Sequence, residues 1–122
     1  MADNKQYITQ TQENGNVMIS EDVVSTIATH AIQEVEGVVS LSTKPGSDIA
    51  DLIGKKQWGK GLKINIHEDN SILVECDIIL AYGQSVVAVA NAVQESVTSA
   101  VESMTGVQVT QTNVNVCHIA RQ

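Results

Sequence analysis

Residues 72–107 read ILVECDIILAYGQSVVAVANAVQESVTSAVESMTGV, and this stretch is the most informative about the fold class. From Ile72 to Ile78 every second residue is apolar, a pattern typical of a strand that buries one face. Residues 82–83 close that strand, and Gln84 or Ser85 can cap a following helix. The stretch therefore predicts a strand, a short connection and a long helix.

The predicted helix is rich in valine. Valine is a mediocre helix former because its χ1 freedom is lost against the preceding turn, so this helix must be stabilised by packing on a sheet. Gly106 is expected to end it in a left-handed conformation, and a last strand is predicted from Val107 to about Ile119. The alternation of apolar and polar residues in that strand shifts by one position near Gln111, which indicates a bulge. The apolar positions of the helix are Val86, Val89, Ala90, Val93, Val97, Ala100, Val101 and Met104.

The sequence before residue 72 also contains the two-residue alternation of a strand and the nearly four-residue spacing of a helix. Residues 62–66 alternate and are followed by a turn at 68–70, so they form a β-hairpin with the strand that begins at Ile72. Further upstream, Ser20 can cap an amphipathic helix that ends at Glu36, with Gly37 as its stop. Short strands are predicted on either side of that helix, at residues 17–19 and 38–41.

These elements predict an α+β protein. We expect a two-layer sandwich in which two main helices pack on one face of a mixed sheet of about four to five strands, in the order β-α-β-β-β-α-β. Residues 1–14 are polar without a period and are predicted to be a flexible tail, and residues 15–122 to be a single domain. Residues 43–61 contain a turn signal and are otherwise ambiguous between helix and loop.

Composition narrows the possible functions. The chain has 122 residues, 14 Asp and Glu against 7 Lys and Arg, and only three aromatic side chains, so it repels phosphate backbones and offers few stacking platforms. The N-terminus lacks the apolar stretch of a signal peptide, and no run is long enough for a membrane span. Two cysteines in such a chain are expected to be reduced, and a cytoplasmic location follows from that interpretation.

Four stretches together resemble the alkaline-shock and general-stress protein family of Gram-positive bacteria, which is implicated in the cell-envelope stress response. The resemblance covers residues 15–120, with two departures: Trp58 stands where the family has a small or aliphatic residue, and His118 where we expect Gly. The four stretches are GNVMIS at 15–20, EVEGVV at 34–39, KGLKI at 60–64 with AYG at 81–83, and AVESMTGV at 100–107 followed by VNV at 114–116.

The resemblance implies a function by association. The family offers no catalytic, cofactor-binding or metal-binding residues to carry over, so we expect a non-enzymatic protein that needs no cofactor. It implies a homo-oligomer that acts as a scaffold or adaptor at the cytoplasmic side of the cell envelope. Recruitment by a small membrane-anchored protein is a further implication.

The residues that could carry chemistry have structural interpretations. Cys117 and His118 are adjacent, but neighbours in a strand point to opposite faces and cannot normally form a nucleophile–base pair. Glu75 and Asp77 share a strand face with spacing suited to a cation, although such alternation is ordinary on an exposed strand. The possible metal ligands, namely Cys76, Cys117, His30, His67 and His118, are scattered and lack the close spacing of structural zinc sites.

One segment is a candidate interaction loop. Residues 55–63 hold four of the seven basic residues and the only Trp of an acidic chain. The loop could contact an acidic partner, a second copy or an anionic lipid surface, with Trp58 as the anchor; alternatively, it is a solvated loop whose Trp58 covers an edge of the core. The residues of this candidate are Lys55, Lys56, Trp58, Lys60 and Lys63.

Two further functions remain as alternatives. Small α+β sandwiches include nucleic-acid-binding modules, but the acidic balance and the missing aromatic platforms argue against one here. A hydrolase that uses Cys117 or the carboxylates would need an activating arrangement that the sequence does not indicate.

Overall fold

A computed structural model describes residues 7–42 and 61–121. The described elements follow the predicted order, with one extra strand at the start. They are β1 (Tyr7–Gln12), β2 (Gly15–Ser20), α1 (Glu21–Gln33), β3 (Val38–Leu41), β4 (Leu62–Ile66), β5 (Ile72–Ala81), α2 (Val86–Thr105) and β6 (Val109–Ala120). The α+β class and the mixed sheet are therefore confirmed.

Strand β5 is the centre of the sheet. β6 pairs with it in parallel along its length, as expected for two strands joined by a helical crossover. β3 and β4 both pair with β5 in antiparallel orientation on its other side. The hairpin predicted from the turn at 68–70 is therefore the β4–β5 pair.

β3 and β4 lie end to end along β5. The backbone N–H of Ser42 donates to the carbonyl of Asp77, and the N–H of Asp77 donates to the carbonyl of Gly61, both at 2.8 Å. Ser42, at the end of β3, and Gly61, just before β4, are therefore both hydrogen-bonded to the same residue of β5. Gly61 has a φ of +72°, and a Cβ there would collide with the carbonyl oxygen of Ser42, so this junction requires glycine.

Both helices have the predicted caps at their N-termini. The Ser20 hydroxyl accepts from the N–H of Val23, and the Ser85 hydroxyl accepts from the N–H of Ala88, each at 3.4 Å. α2 ends at Gly106, whose φ of 75° is left-handed as predicted.

The end of α1 differs from the prediction. The helix stops at Gln33 and is capped by Glu34, three residues before the predicted end at Glu36. The N–H groups of Glu34 and Val35 bond back over three residues, which tightens the last turn. Gly37 instead belongs to the approach to β3, where its carbonyl accepts from the N–H of Ala81 at 2.9 Å.

The N-terminal hairpin corrects the predicted flexible tail of residues 1–14 for residues 7–14, whereas residues 1–6 lie outside the described residues. Residues 7–12 form β1, which pairs with β2 in regular antiparallel register. Ile8 is fully buried, and the Gln10 side-chain amide donates to the carbonyl of Thr105 at 2.9 Å. A strand with one buried apolar residue among Thr and Gln has almost no hydrophobic period, so the sequence pattern did not reveal it.

The core lies between the sheet and the two helices. It is built mainly from aliphatic side chains, and α2 contributes a valine at every fourth position. Its fully buried larger members are Ile8, Val24, Ile32, Ile72, Val74, Cys76, Ile78, Leu80, Val93, Val97 and Val101.

A candidate interaction surface on the open side of the sheet

In the part of the chain that the structure describes, neither helix covers one face of the four-stranded sheet. Along β5 the residues facing the helices are fully buried, whereas Leu73, Glu75 and Ile79, which point the other way, are only partly buried. On β6 the neighbours of this row, Asn113 and Asn115, are exposed. Within residues 7–42 and 61–121, the centre of this face is mixed, with the apolar Leu73 and Ile79 on either side of Glu75 and Asp77.

The two carboxylates proposed for cation binding lie on this open face. Asp77 is 8% exposed, and its Oδ1 accepts from Asn115 Nδ2 at 2.9 Å. Glu75 is half-buried and lies opposite Lys63 of β4 in the strand register. The part of the chain that the structure describes holds no group of three or more His, Cys, Asp and Glu side chains able to hold a metal ion. The hydrogen bond from Asn115 to Asp77 ties β6 to β5.

The geometry of Cys117 and His118 differs from the expected placement on opposite faces of a regular strand. The register between β5 and β6 shifts at Cys117, which breaks the alternation, and both side chains are exposed. A second shift, at Thr110, lies one residue from the bulge predicted near Gln111. The Cys117 thiol contacts the carbonyl of Asn115 at 3.9 Å, which is a local backbone contact.

Cys76 is the buried counterpart of Cys117. It is 1% exposed and faces the core, and both cysteines are free thiols. Burial, together with the neighbouring carboxylates of Asp77 and Glu75, raises the pKa of Cys76 to about 12. Cys76 is therefore an inert packing residue, because only the thiolate is strongly nucleophilic.

The remaining histidines have separate local contacts. His30 Nδ1 lies 3.4 Å from Glu34 Oε2 on the exposed side of α1, an arrangement that contributes little to stability in water. His67 Nε2 lies 3.5 Å from the Thr110 hydroxyl, at the β4–β5 turn. The two rings lie on different elements, and neither contacts a cysteine.

The turn after His67 is held by Asp69. Its Oδ1 accepts from the hydroxyl of Ser71 at 2.6 Å and from the Ser71 N–H at 3.0 Å. These hydrogen bonds to the charged form hold the pKa of the Asp69 carboxyl below its ordinary value. Asp69 thus fixes the hairpin that the sequence predicted at this position.

Of the candidate interaction loop, the structure describes only Lys63. Its side chain is exposed at the second position of β4. The other four candidates, Lys55, Lys56, Trp58 and Lys60, lie outside the described residues, as do the turn predicted at 43–47 and most of the ambiguous segment that follows it.

The outer edge of β6 is a feature that sequence reasoning missed. Side chains of α2 overhang its first residues: Glu102 Oε2 accepts from the N–H of Val109 at 3.0 Å, and Gln94 Nε2 donates to the carbonyl of Thr112 at 3.1 Å. The same flank of α2 lines a wide groove of about 530 Å³, formed by Gln94, Glu95, Thr98, Ser99 and Glu102.

Two sequence signals pointed to this edge. Gln94, Thr98 and Glu102 recur every four residues, which places three polar side chains on one flank of the helix. In addition, no Asp, Glu, Lys or Arg occurs between Glu102 and Arg121, so the whole of β6 is uncharged. Charged residues are a common protection of edge strands, and β6 has none.

The fold and these surfaces define a class: a small α+β protein in which Cys76 is used for packing, Asp69 for a turn and Asp77 for strand pairing. Among the described residues, no helix is both long and apolar enough to cross a membrane.

Residues 9–121 match the model of the alkaline shock protein 23 family, described as having a cell envelope-related function. The chain belongs to this family, which confirms the resemblance to alkaline-shock proteins.

Relatives occur in Gram-positive bacteria. A protein of Streptococcus pyogenes serotype M6, Spy1535, is 35% identical over 87% of this chain and 80% of its own length. YqhY of Bacillus subtilis strain 168 is 29% identical over 86% of this chain and 77% of its own length. Both relatives are described as uncharacterized.

A solved structure, MamM CTD H264E, covers 83% of this chain and 94% of its own, with 16% identity and a TM-score of 0.47.

Proposed function

We propose that this protein is a non-enzymatic scaffold or adaptor of the cell-envelope stress response, which self-associates and works at the cytoplasmic side of the envelope. The observation that carries the proposal is the exposed side of the sheet. Among the described residues, the four-stranded sheet has one face without a helix, with β6 at one margin and β3 and β4 at the other, and these offer backbone and side-chain groups for association. The family's envelope-related description supports the location.

The chemistry of the described residues agrees with association rather than turnover. The buried thiol has a strongly raised pKa, Asp77 ties two strands together, and Asp69 holds a turn. These three groups therefore have structural uses. Turnover of any substrate that disappears on replacing Cys117 or His118 would contradict this part of the proposal.

The nucleic-acid alternative is not favoured by the charge distribution. Residues 7–42 and 61–121 carry eleven Asp and Glu against two Lys and Arg. A nucleic-acid-binding face needs cations that release counterions from the phosphates, and this body of the molecule repels them instead.

Docking at the envelope is proposed to occur through a membrane-anchored protein partner. A fluorescent fusion of the full chain in Gram-positive cells should mark the cell periphery. Diffuse fluorescence throughout the cytoplasm, under envelope stress as well as without it, would contradict envelope docking while leaving self-association open to its own test.

Self-association is tested by solution mass. Size exclusion with light scattering over a concentration series should give a mass that rises above 13.0 kDa as the protein is concentrated. Trp58→Ala should weaken this association if the basic loop is part of the interface. Tyr82→Ala is the matched control, because Tyr82 is an exposed aromatic residue outside residues 55–63. A strict monomer at every concentration would refute self-association.

A further inference from the structure

The start of α2 carries a group of exposed apolar side chains. Val86 and Val87 are 43% and 67% exposed, and Ala88 is exposed as well, so the whole first turn of the helix is open to solvent. Tyr82, in the connection from β5 to α2, is 68% exposed. Only three residues separate Tyr82 from Val86, which limits the distance between their Cα atoms to about 14 Å. Single exposed apolar residues are ordinary on a protein surface, whereas a group of them marks a contact surface.

Arg121 adds a positive charge to this group. Its guanidinium carbon Cζ lies 5.4 Å from the centre of the Tyr82 ring, and the N–H of Tyr82 donates to the carbonyl of Ala120 at 2.9 Å. Residues 78–94 contain no Asp, Glu, Lys or Arg, so the first turn of α2 has no acidic side chain to offset this cation. We call this surface the α2 tip and define it as Tyr82, Val86, Val87 and Arg121.

The α2 tip has a basic side and an acidic side. The side chains of Gln84 and Val89 lie against Gly37, which brings the exposed Glu36 beside the β5–α2 connection. Arg121 follows β6, which pairs with the side of β5 opposite to β3. An acidic group of a binding partner is therefore expected near Arg121 and not near Glu36.

The composition of the α2 tip favours a protein as its occupant. Tyr and Arg beside aliphatic residues are typical of the centre of a protein–protein interface, from which other charges are depleted. An anionic lipid surface is disfavoured, because the described residues carry eleven Asp and Glu against two Lys and Arg. A symmetric contact with a second copy would place the Arg121 side chains of the two copies close together, which like charges oppose.

We propose that the α2 tip is the surface that docks on the membrane-anchored protein partner, in an apolar recess of that partner with a carboxylate at its rim. The proposal rests on the partner-mediated docking proposed above and names its surface. Val86 and Val87 fill the recess, since exposed valines gain most from leaving water. Arg121 pairs with the carboxylate, while the ring of Tyr82 supports its guanidinium.

Variants of the α2 tip test the proposal in Gram-positive cells, on a fluorescent fusion at the N-terminus because Arg121 lies near the other end of the sequence. The apolar variant combines Val86→Ser with Val87→Ser, and the charge variant is Arg121→Glu. Both should lose the peripheral fluorescence of wild type, whereas Arg121→Lys should keep most of it because the charge is preserved. All three replaced side chains are exposed, so each variant should unfold at a urea midpoint close to that of wild type.

Val23→Ser is the matched control for the apolar variant. Val23 lies in the first turn of the other helix and is 45% exposed, close to the exposure of Val86. The control makes the same chemical change at an equivalent helix position away from the α2 tip, and it should leave the fluorescence at the periphery.

Two measurements on the purified protein distinguish a protein partner from the other occupants. Wild type should not sediment with vesicles made of equal parts phosphatidylcholine and phosphatidylglycerol. The solution mass of the apolar variant should equal that of wild type at every concentration. Sedimentation that the apolar variant loses would identify the occupant as lipid, and a lower mass of the apolar variant would identify it as a second copy. Either result would overturn the proposal.

Cross-linking in cells tests direct contact. A photoreactive amino acid in place of Val87 should form an adduct with a protein of the membrane fraction, and adding Arg121→Glu should abolish that adduct. The same amino acid in place of Val23 should form none. If either tip variant stays at the periphery, or if the adduct survives Arg121→Glu, the α2 tip is not the docking surface while docking itself stands. If wild type is diffuse, envelope docking and this proposal are both wrong.

Discussion

Replacement of Gly106 tests the left-handed stop at the end of α2. The residue has a φ of 75°, and its N–H donates to the carbonyl of Glu102 at 2.9 Å. A Cβ at this position would lie 3.5 Å from the nearest atom, the Gln10 side-chain nitrogen, which is ordinary van der Waals contact. The cost of a side chain therefore comes from the backbone conformation and not from crowding.

The size of the destabilisation follows from the backbone conformation alone. A non-glycine residue in the left-handed region costs about 1–3 kcal/mol, with Asn at the low end because its side chain tolerates this region, and a β-branched residue at the high end. We therefore expect Gly106→Asn to lower the free energy of unfolding by roughly 1 kcal/mol or less, and Gly106→Val by about 2–3 kcal/mol. For a domain of this size, the Val variant should melt on the order of 10 °C lower.

The assay is urea unfolding followed by circular dichroism, with the slope against urea compared among wild type and the two variants. Equal slopes with midpoints in the order wild type, Asn, Val are expected. If Val and Asn destabilise equally, or if neither shifts the midpoint, the left-handed conformation is not what determines the residue at position 106.

Three further outcomes are expected. At about pH 8 a thiol reagent should modify Cys117 rapidly and Cys76, whose pKa is about 12, only on unfolding; a fast phase that survives Cys117→Ser would contradict this. Val97→Ala, at a fully buried site, should cost about 2 kcal/mol in urea unfolding, whereas Val87→Ala, at 67% exposure, should stay within about 0.5 kcal/mol; equal costs would refute the core assignment. The pKa of Asp69 is lower in the folded state, so the Asp69 carboxylate stabilises the fold above its ordinary pKa of about 3.9, and this contribution is lost as the pH falls through the lower folded pKa. Asp69→Asn should therefore flatten the acid limb of the curve of unfolding free energy against pH. An unchanged limb would show that the turn does not use this charge.

The candidate site was only partly accessible from the sequence. Local pattern placed Glu75, Asp77, Cys117 and Lys63 on strands, but it could not tell which of them meet. Asp77 finds Asn115 across 38 positions of sequence, and that contact depends on the register between β5 and β6. The bulge at Cys117, which exposes both Cys117 and His118, is likewise a property of the pairing.

Local sequence was sufficient for the elements whose information lies within a few residues. Periods of two and of nearly four residues record which side of a segment is buried, so β4, β5 and α2 were predicted close to their observed bounds. The caps at Ser20 and Ser85 and the stop at Gly106 were also predicted, because a side-chain hydroxyl or a missing Cβ acts within one helical turn.

The way in which these elements share one sheet emerged only from the folded chain. Hydrophobic periodicity indicates which face of a segment is buried, but it does not indicate which strand or helix covers that face, because the partner is distant in the sequence. The end-to-end placement of β3 and β4 on one side of β5, the ordering of β1 by the buried Ile8, and the α2 side chains over the margin of β6 all arise from such distant contacts.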